Sequence, residues 1–248
     1  MSGRAGERER RGKSKDKKSQ APARWPRPLE PLSARGLSRF LTVLTAWKQG
    51  REEPVVGRIR ETRPDPFAIL VGTVLSLRTR DTVTAQAFER VWALASTPAG
   101  LLKLPPIELE TAIKPVGFYK TKARSLKAIA ALLLERHGGK VPADLDALLA
   151  LPGVGRKTAN LVLTEGFGLR GICVDTHVHR ILNWWGFVAT QDPDETERVL
   201  RAALPSRWWI PINGLLVSFG QAVCRPVGPR CGECPLRRVC PYPGKRTR

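Results

Sequence analysis

Four cysteines lie within the last 25 residues, spaced Cys224-x6-Cys231-x2-Cys234-x5-Cys240. Thiolates this close along a chain can surround one compact centre, and the spacing alone leaves zinc and a [4Fe–4S] cluster both open. A fifth, Cys173, stands between Ile172 and Val174 and reads as a small core residue. A second pattern is Leu151-Pro152-Gly153-Val154-Gly155-Arg156-Lys157. Here an apolar helix ends at Leu151, two glycines turn the chain, and a second helix begins near Arg156. Such a turn can present unpaired backbone N–H groups at a helix N-terminus, where an anion is favoured. No preceding strand and no Walker lysine pattern accompany it, which disfavours a nucleotide loop. A sequence-neutral grip on a DNA backbone phosphate suits it better. The competing reading is a plain helix–helix turn.

The rest of the chain must position these groups. It has 248 residues, with 42 Lys+Arg against 22 Asp+Glu and a formal net charge of +20. A field of that sign points to a polyanion, nucleic acid before an anionic membrane surface. No apolar run approaches the roughly 18 residues of a spanning helix, so an integral membrane protein is not expected. The N-terminus carries no signal-peptide core, so secretion is not expected either. Without an export signal, clustered thiols read as a metal or cluster site rather than a disulfide framework. The expected location is intracellular: cytoplasmic, with the nucleoid, in a bacterium, and nuclear in a eukaryote.

Residues 1–28 hold one large apolar side chain besides Met1, namely Trp25, and are expected to form a disordered basic tail. Residues 1–30 carry ten Lys/Arg against four Asp/Glu, so most of the positive charge lies beyond the tail. The tail reads as a non-specific DNA arm or nuclear address, or else as a dispensable extension. After it, helix follows helix. Leu37, Phe40, Leu41, Leu44 and Trp47 recur at helical spacing up to Gly50. An apolar helix, Phe67 to Leu77, follows Asp65-Pro66, and Asp81 is the expected N-cap of a helix running to about Ala95. Arg124 to His137 is amphipathic and stops at Gly138-Gly139, and Asp192-Pro193-Asp194-Glu195 is a capping box for a helix reaching about Leu204. Alternating strand patterns are nearly absent, so the fold class is all-α.

The segment LPGVGRKTAN (151–160), followed by Gly171-Ile172-Cys173-Val174-Asp175-Thr176-His177-Val178, resembles the helix-hairpin-helix of the endonuclease III family of DNA glycosylase/AP lyases. The similarity runs from about Leu37 to Tyr242. Gly117-Phe118-Tyr119 and the stretch Asn213 to Gln221 resemble the branch that includes eukaryotic homologues. The resemblance implies that Lys157 is the nucleophile and Asp175 its partner carboxylate. A lysine attacks carbon only as a free amine, which the first turn of a helix and the apolar neighbours Leu151 and Val154 would favour. Asp175 would stabilise the positive sugar as the base leaves. The amine would then form a Schiff base at C1′, and β-elimination of the 3′ phosphate would nick the strand. Relatives that only remove bases lack the lysine, so lyase activity is expected.

The same resemblance turns the cysteine pattern into a [4Fe–4S] site held by Cys224, Cys231, Cys234 and Cys240. Its role would be structural, pinning a loop whose Arg225 and Arg230 would meet phosphates. Arg78 stands in a segment, Leu75 to Asp81, that in the family inserts a side chain where the damaged base has left. DNA contacts are thus expected at Arg78, Gly153, Val154, Gly155, Arg156, Arg225 and Arg230. His177 and His179, two apart, do not share a helix face and are not expected to form a metal site. Trp184, Trp185, Trp208 and Trp209 read as core fillers, and Lys120 and Lys122 as residues facing DNA or solvent. The implied architecture is a six-helix barrel with the helix-hairpin-helix over 59–170, and a discontinuous lobe over 29–58 and 171–248 that carries the cluster loop. DNA would lie in the cleft between the two lobes. The implied substrate is double-stranded DNA with an oxidised pyrimidine or an abasic site, bound by a monomer. The alternatives are a mismatch or monofunctional glycosylase, and a non-catalytic iron–sulfur DNA-binding protein.

Overall fold

A computed structural model of the chain describes residues 33–242, so the basic tail expected at 1–28 lies outside the described residues. Twelve α-helices follow in order: α1 (Ala34–Lys48), α2 (Val55–Thr62), α3 (Pro66–Ser76), α4 (Asp81–Leu94), α5 (Pro98–Lys103), α6 (Pro106–Ile113), α7 (Tyr119–His137), α8 (Leu145–Leu149), α9 (Arg156–Leu161), α10 (Thr176–Trp184), α11 (Pro193–Ala203) and α12 (Pro211–Ala222). There is no strand among the described residues, and the fold is all-α as expected. A π-turn, Val162–Gly166, extends α9, and no sequence pattern announces it.

The caps explain most of the boundaries. Asp65 accepts from Phe67 N at 2.8 Å and Asp192 accepts from Glu195 N at 2.7 Å, each with proline as the first helical residue. Glu195 reaches back to Gln191 N at 2.8 Å, one residue before the cap, which closes a shifted capping box. α7 ends where Gly138 (φ +58°) and Gly139 (φ +78°) turn left-handed. It begins five residues before the expected Arg124, because Phe118 itself is left-handed (φ +57°) and turns the chain straight into the helix. Asp81 does not cap the helix it begins, contrary to expectation. That helix is entered from Arg80, while Asp81 Oδ2 accepts from Val55 N at 3.0 Å. The carboxylate thereby caps α2, whose own N-cap residue is Pro54 and has no side-chain acceptor.

Two apolar cores result. The first is built round α3, whose residues Phe67 to Leu75 are all buried, and α2, α4, α7, α9 and the π-turn pack on it. The second joins Leu37, Phe40, Leu41 and Leu44 of α1 to α10 and α12, with Trp185 edge-on to Phe40 at 5.0 Å. Val55, Val56 and Ile59 of α2 belong to the first core, so α2 packs with α3 rather than with α1. Between the cores, Cys173 faces the first while Ile172 and Val174 face the second, the alternation expected of extended chain. This crossing delivers Asp175 to the seam.

Candidate active site

Lys157 is the second residue of α9 and is held at the seam by the hairpin before it. Val154 N donates to Leu151 O at 3.1 Å, and Gly153 takes φ +79°, where a side chain would be strained and its Cβ would stand 3.2 Å from Ser125 Oγ. Gly155 has ordinary backbone angles and open space around its Cα. A side chain would fit there, but it would cover the backbone that Gly155 leaves bare at the start of α9. The Val154 side chain is buried and its N–H is engaged within the turn. Arg156 begins α9 with its side chain partly exposed. Its guanidinium makes a two-pronged bond to the buried Glu197 of α11, at 3.1 and 3.0 Å, which raises its pKa further.

Asp175 is the N-cap of α10 and is buried. Its Oδ1 accepts from His177 N (2.8 Å) and Val178 N (3.0 Å), and Oδ2 lies 3.7 Å from Lys157 Nζ. The Lys157 side chain keeps 39% of its exposure, while the carboxylate of Asp175 is largely buried. Cys173 donates to Lys157 O (Sγ–O 3.6 Å). Burial pushes its thiol pKa up, consistent with a core residue. Lys157 and Asp175 open onto a cavity of about 240 Å³ whose rim includes Arg78.

The same cavity is bordered by residues that no sequence motif marked. Glu53 pairs with Lys48 at 2.6 Å, and Glu165 of the π-turn pairs with Arg60 at 2.6 Å. Burial raises the pKa of Glu165, opposed by Arg60. Asn213, in the first turn of α12, has a buried amide oxygen with no partner. An acidic residue inside the apolar run 161–167 was the one available signal, pointing to Glu165. His177 also borders the cavity, and burial lowers its pKa. His179 instead turns to Thr196 Oγ1 at 2.7 Å, so the two imidazoles do not converge.

Arg78 is exposed, in the left-handed region at φ +52°, with its guanidinium 5.7 Å from the ring of the exposed Phe118. Lys120 is exposed as expected, but Lys122 is buried. Trp184 and Trp185 are buried, and Trp208 and Trp209 pack against the second core. Arg225 is half-buried, with its Nε bonded to Gln221 O at 3.2 Å, and Arg230 is exposed, 3.7 Å from Glu233.

Cys224, Cys231, Cys234 and Cys240 are all free thiols and line one shared apolar cavity. Trp184 and Tyr242, stacked at 4.4 Å, form part of its wall. Arg180 reaches from α10 to Cys224 O at 2.6 Å and ties the loop to the second core. Among the described residues, no three His, Cys, Asp or Glu side chains are close enough to hold one metal ion. The four thiols line one cavity, and thiolates are a donor set suited to a metal or an iron–sulfur cluster. No helix among the described residues is long and apolar enough to cross a membrane.

The chain matches the family model of the HhH-GPD superfamily base excision DNA repair protein over residues 71–206. That match, with a lysine–aspartate pair at the seam of an all-helical fold, defines the class: a helix-hairpin-helix base excision repair enzyme. The chain is 47% identical to Endonuclease III of Thermotoga maritima over 182 residues, covering 73% of this chain and 85% of that protein. It is similar to the protein in a non-covalent Endonuclease III–DNA complex, with TM-score 0.76 and 32% identity over 84% of this chain and 95% of that one. A trapped Endonuclease III–DNA covalent intermediate matches with TM-score 0.75 and 31% identity, over 84% of this chain and 96% of that one. The chain belongs to the endonuclease III family of DNA glycosylase/AP lyases.

Proposed function

We propose that the chain excises oxidised pyrimidines from double-stranded DNA and cleaves the resulting abasic strand, with Lys157 as nucleophile and Asp175 as its partner. One observation carries this reading: Lys157 Nζ stands 3.7 Å from Asp175 Oδ2 at the wall of a cavity between the two cores. The Lys157 amine attacks C1′ of the everted nucleotide, and the base departs from that carbon. Asp175 holds its negative oxygen toward the sugar as positive charge develops there, and its other oxygen, fixed by two backbone N–H groups, keeps the carboxylate from turning away. The attacking nitrogen gives up its proton and its electron pair opens the C1′–O4′ bond, O4′ taking up a proton, and the imine so formed at C1′ acidifies the C2′ proton. Loss of that proton and of the 3′ phosphate breaks the strand.

Arg78 and Phe118 face the DNA as an exposed pair, and Gly153 and Gly155 offer bare backbone to a phosphate. Arg225 and Arg230 are the proposed phosphate contacts of the cysteine loop. The barrel helices and the lobe formed by α1, α10, α11 and α12 then form the two walls of the DNA cleft. Cys224, Cys231, Cys234 and Cys240 would hold a [4Fe–4S] cluster, which supplies a covalent cross-link for a loop with little core of its own. The protein acts as a monomer.

Borohydride trapping tests the reading. A duplex carrying thymine glycol or an abasic site is incubated with wild type, Lys157→Ala and Lys120→Ala. A covalent adduct with wild type and Lys120→Ala, and none with Lys157→Ala, is the expected result. Binding without adduct or nick on either duplex would sink the lyase reading and leave the monofunctional-glycosylase and non-catalytic readings.

A further inference from the structure

Lys122 lies in the first turn of α7, three residues from its start at Tyr119, yet it is only 6% exposed. Its ammonium points into the barrel and donates to Leu75 O at 2.8 Å, Leu77 O, and Thr79 Oγ1 at 3.1 Å. An ammonium has three N–H donors, and here each has one acceptor. None of the three is a carboxylate. Leu75 and Leu77 stand at the C-terminal end of α3, where the last carbonyls have no partner within the helix. A cation there also meets the negative end of the helix dipole. Lys122 therefore caps α3 from another helix.

The residue enclosed by these three acceptors is Arg78. Its backbone is left-handed at φ +52°, a conformation an L side chain keeps only when its surroundings hold it. The α7 side of the contact is equally committed. Gly117 approaches so closely that a Cβ there would stand 3.1 Å from Arg78 O, and Phe118 at φ +57° sets its ring near the Arg78 guanidinium. Without Lys122, the hydrogen bonds that remain between residues of the turn are Thr79 N to Ser76 O (3.1 Å) and the side-chain bond of Thr79 Oγ1 to Leu77 O (3.2 Å).

We infer that Lys122 is a positioning residue for Arg78: its three hydrogen bonds hold the 75–79 turn so that the Arg78 side chain stands ready to enter the duplex where a nucleotide has been everted. The inference rests on the reading of Arg78 as a DNA-facing residue given above. It has a specific consequence. Filling the vacated stack matters only when a second strand leaves an orphaned base, so Lys122 matters for duplex substrates and not for a single strand.

The test uses the full chain and an abasic oligonucleotide, as a duplex and as the same strand alone, with Lys122→Met, Arg78→Ala and the double variant. Lys122→Met keeps the side-chain length and removes the donors. Loss of these charge-assisted bonds is expected to lower kcat/KM for duplex incision by about tenfold or more, while single-strand incision stays at the wild-type rate. Arg78→Ala is expected to lower duplex incision by a similar factor, and the double variant to be no worse than Arg78→Ala, because the two act through one element. Equal losses on duplex and single strand would make Lys122 a general structural residue and overturn the inference. So would no loss on the duplex, or losses that multiply in the double variant. If Lys122→Met does not fold, Thr79→Val, which removes one acceptor, decides: a smaller duplex-only loss supports the inference and an unchanged duplex rate sinks it. Wild type incising neither substrate would instead count against the lyase reading itself.

Discussion

Asp175 divides its work between its two oxygens. One is spent on the start of α10, accepting from His177 N and Val178 N, and the other is turned toward Lys157. A helix cap is thus also the electrostatic half of the reactive pair, which ties the position of the charge to the rigidity of a helix end. The cavity beyond also holds the amide oxygen of Asn213, which has no internal partner. A buried acceptor left unpaired costs free energy unless a ligand satisfies it, and a pyrimidine edge presents an N–H that can donate to it. Asn213→Ala should therefore lower excision of dihydrouracil from a duplex by about tenfold or more. Incision at a preformed abasic site, which has no base to read, should be unchanged. Single-turnover assays on the two duplexes separate these effects, and equal losses on both would remove Asn213 from base recognition.

At the scale of elements, long cations repeatedly close helix ends that are not their own. Lys122 of α7 caps α3, Lys127 of α7 donates to Leu102 O and Leu104 O at the end of α5, and Arg90 of α4 donates to Ala112 O (2.6 Å) at the end of α6. Short helices joined by tight turns leave many carbonyls unpaired, and these side chains satisfy them from the neighbouring layer. Lys127→Met should accordingly destabilise the fold by about 1–3 kcal/mol, read as a lower urea midpoint with an unchanged slope. None of this was legible in the sequence, where Lys122 and Lys127 look like any other solvated charge on an amphipathic helix. What was legible depended on local chemistry. Asp65, Asp192 and Gly138-Gly139 mark helix ends within a residue or two, since each cap needs only its own neighbours. The helical class followed from periodicity, and the hairpin from its glycines. Interactions across the fold carried no such mark: Asp81 capping α2 across 26 residues, Arg156 turned to Glu197, and the unpaired amide oxygen of Asn213. The pairing of Lys157 with Asp175 came from the resemblance, because nothing in their eighteen-residue separation requires them to meet.

For the whole molecule, the formal charge of +20 overstates what DNA can meet. Several cations are already engaged by partners within the fold: Lys122, Lys127 and Arg90 by carbonyls, Arg180 by Cys224 O, and Arg156 and Arg201 by the buried Glu197. Those left exposed near the cavity and the cysteine loop, Arg78 and Arg230 among them, set the electrostatic footprint. Binding to a polyanion releases counterions in proportion to the phosphates neutralised, and each contributes about 0.9 to the slope of log K against log salt for duplex DNA. Titrations of an undamaged duplex at several salt concentrations should therefore sort the cations by position rather than by number. Arg230→Ala should lower the slope by about 0.9, the value for one lost phosphate contact. Lys127→Met removes a charge of the same sign and should leave the slope as it is, because that charge is already spent on α5. If both variants shift the slope alike, affinity follows net charge alone, and the cysteine loop has no particular claim on the DNA backbone.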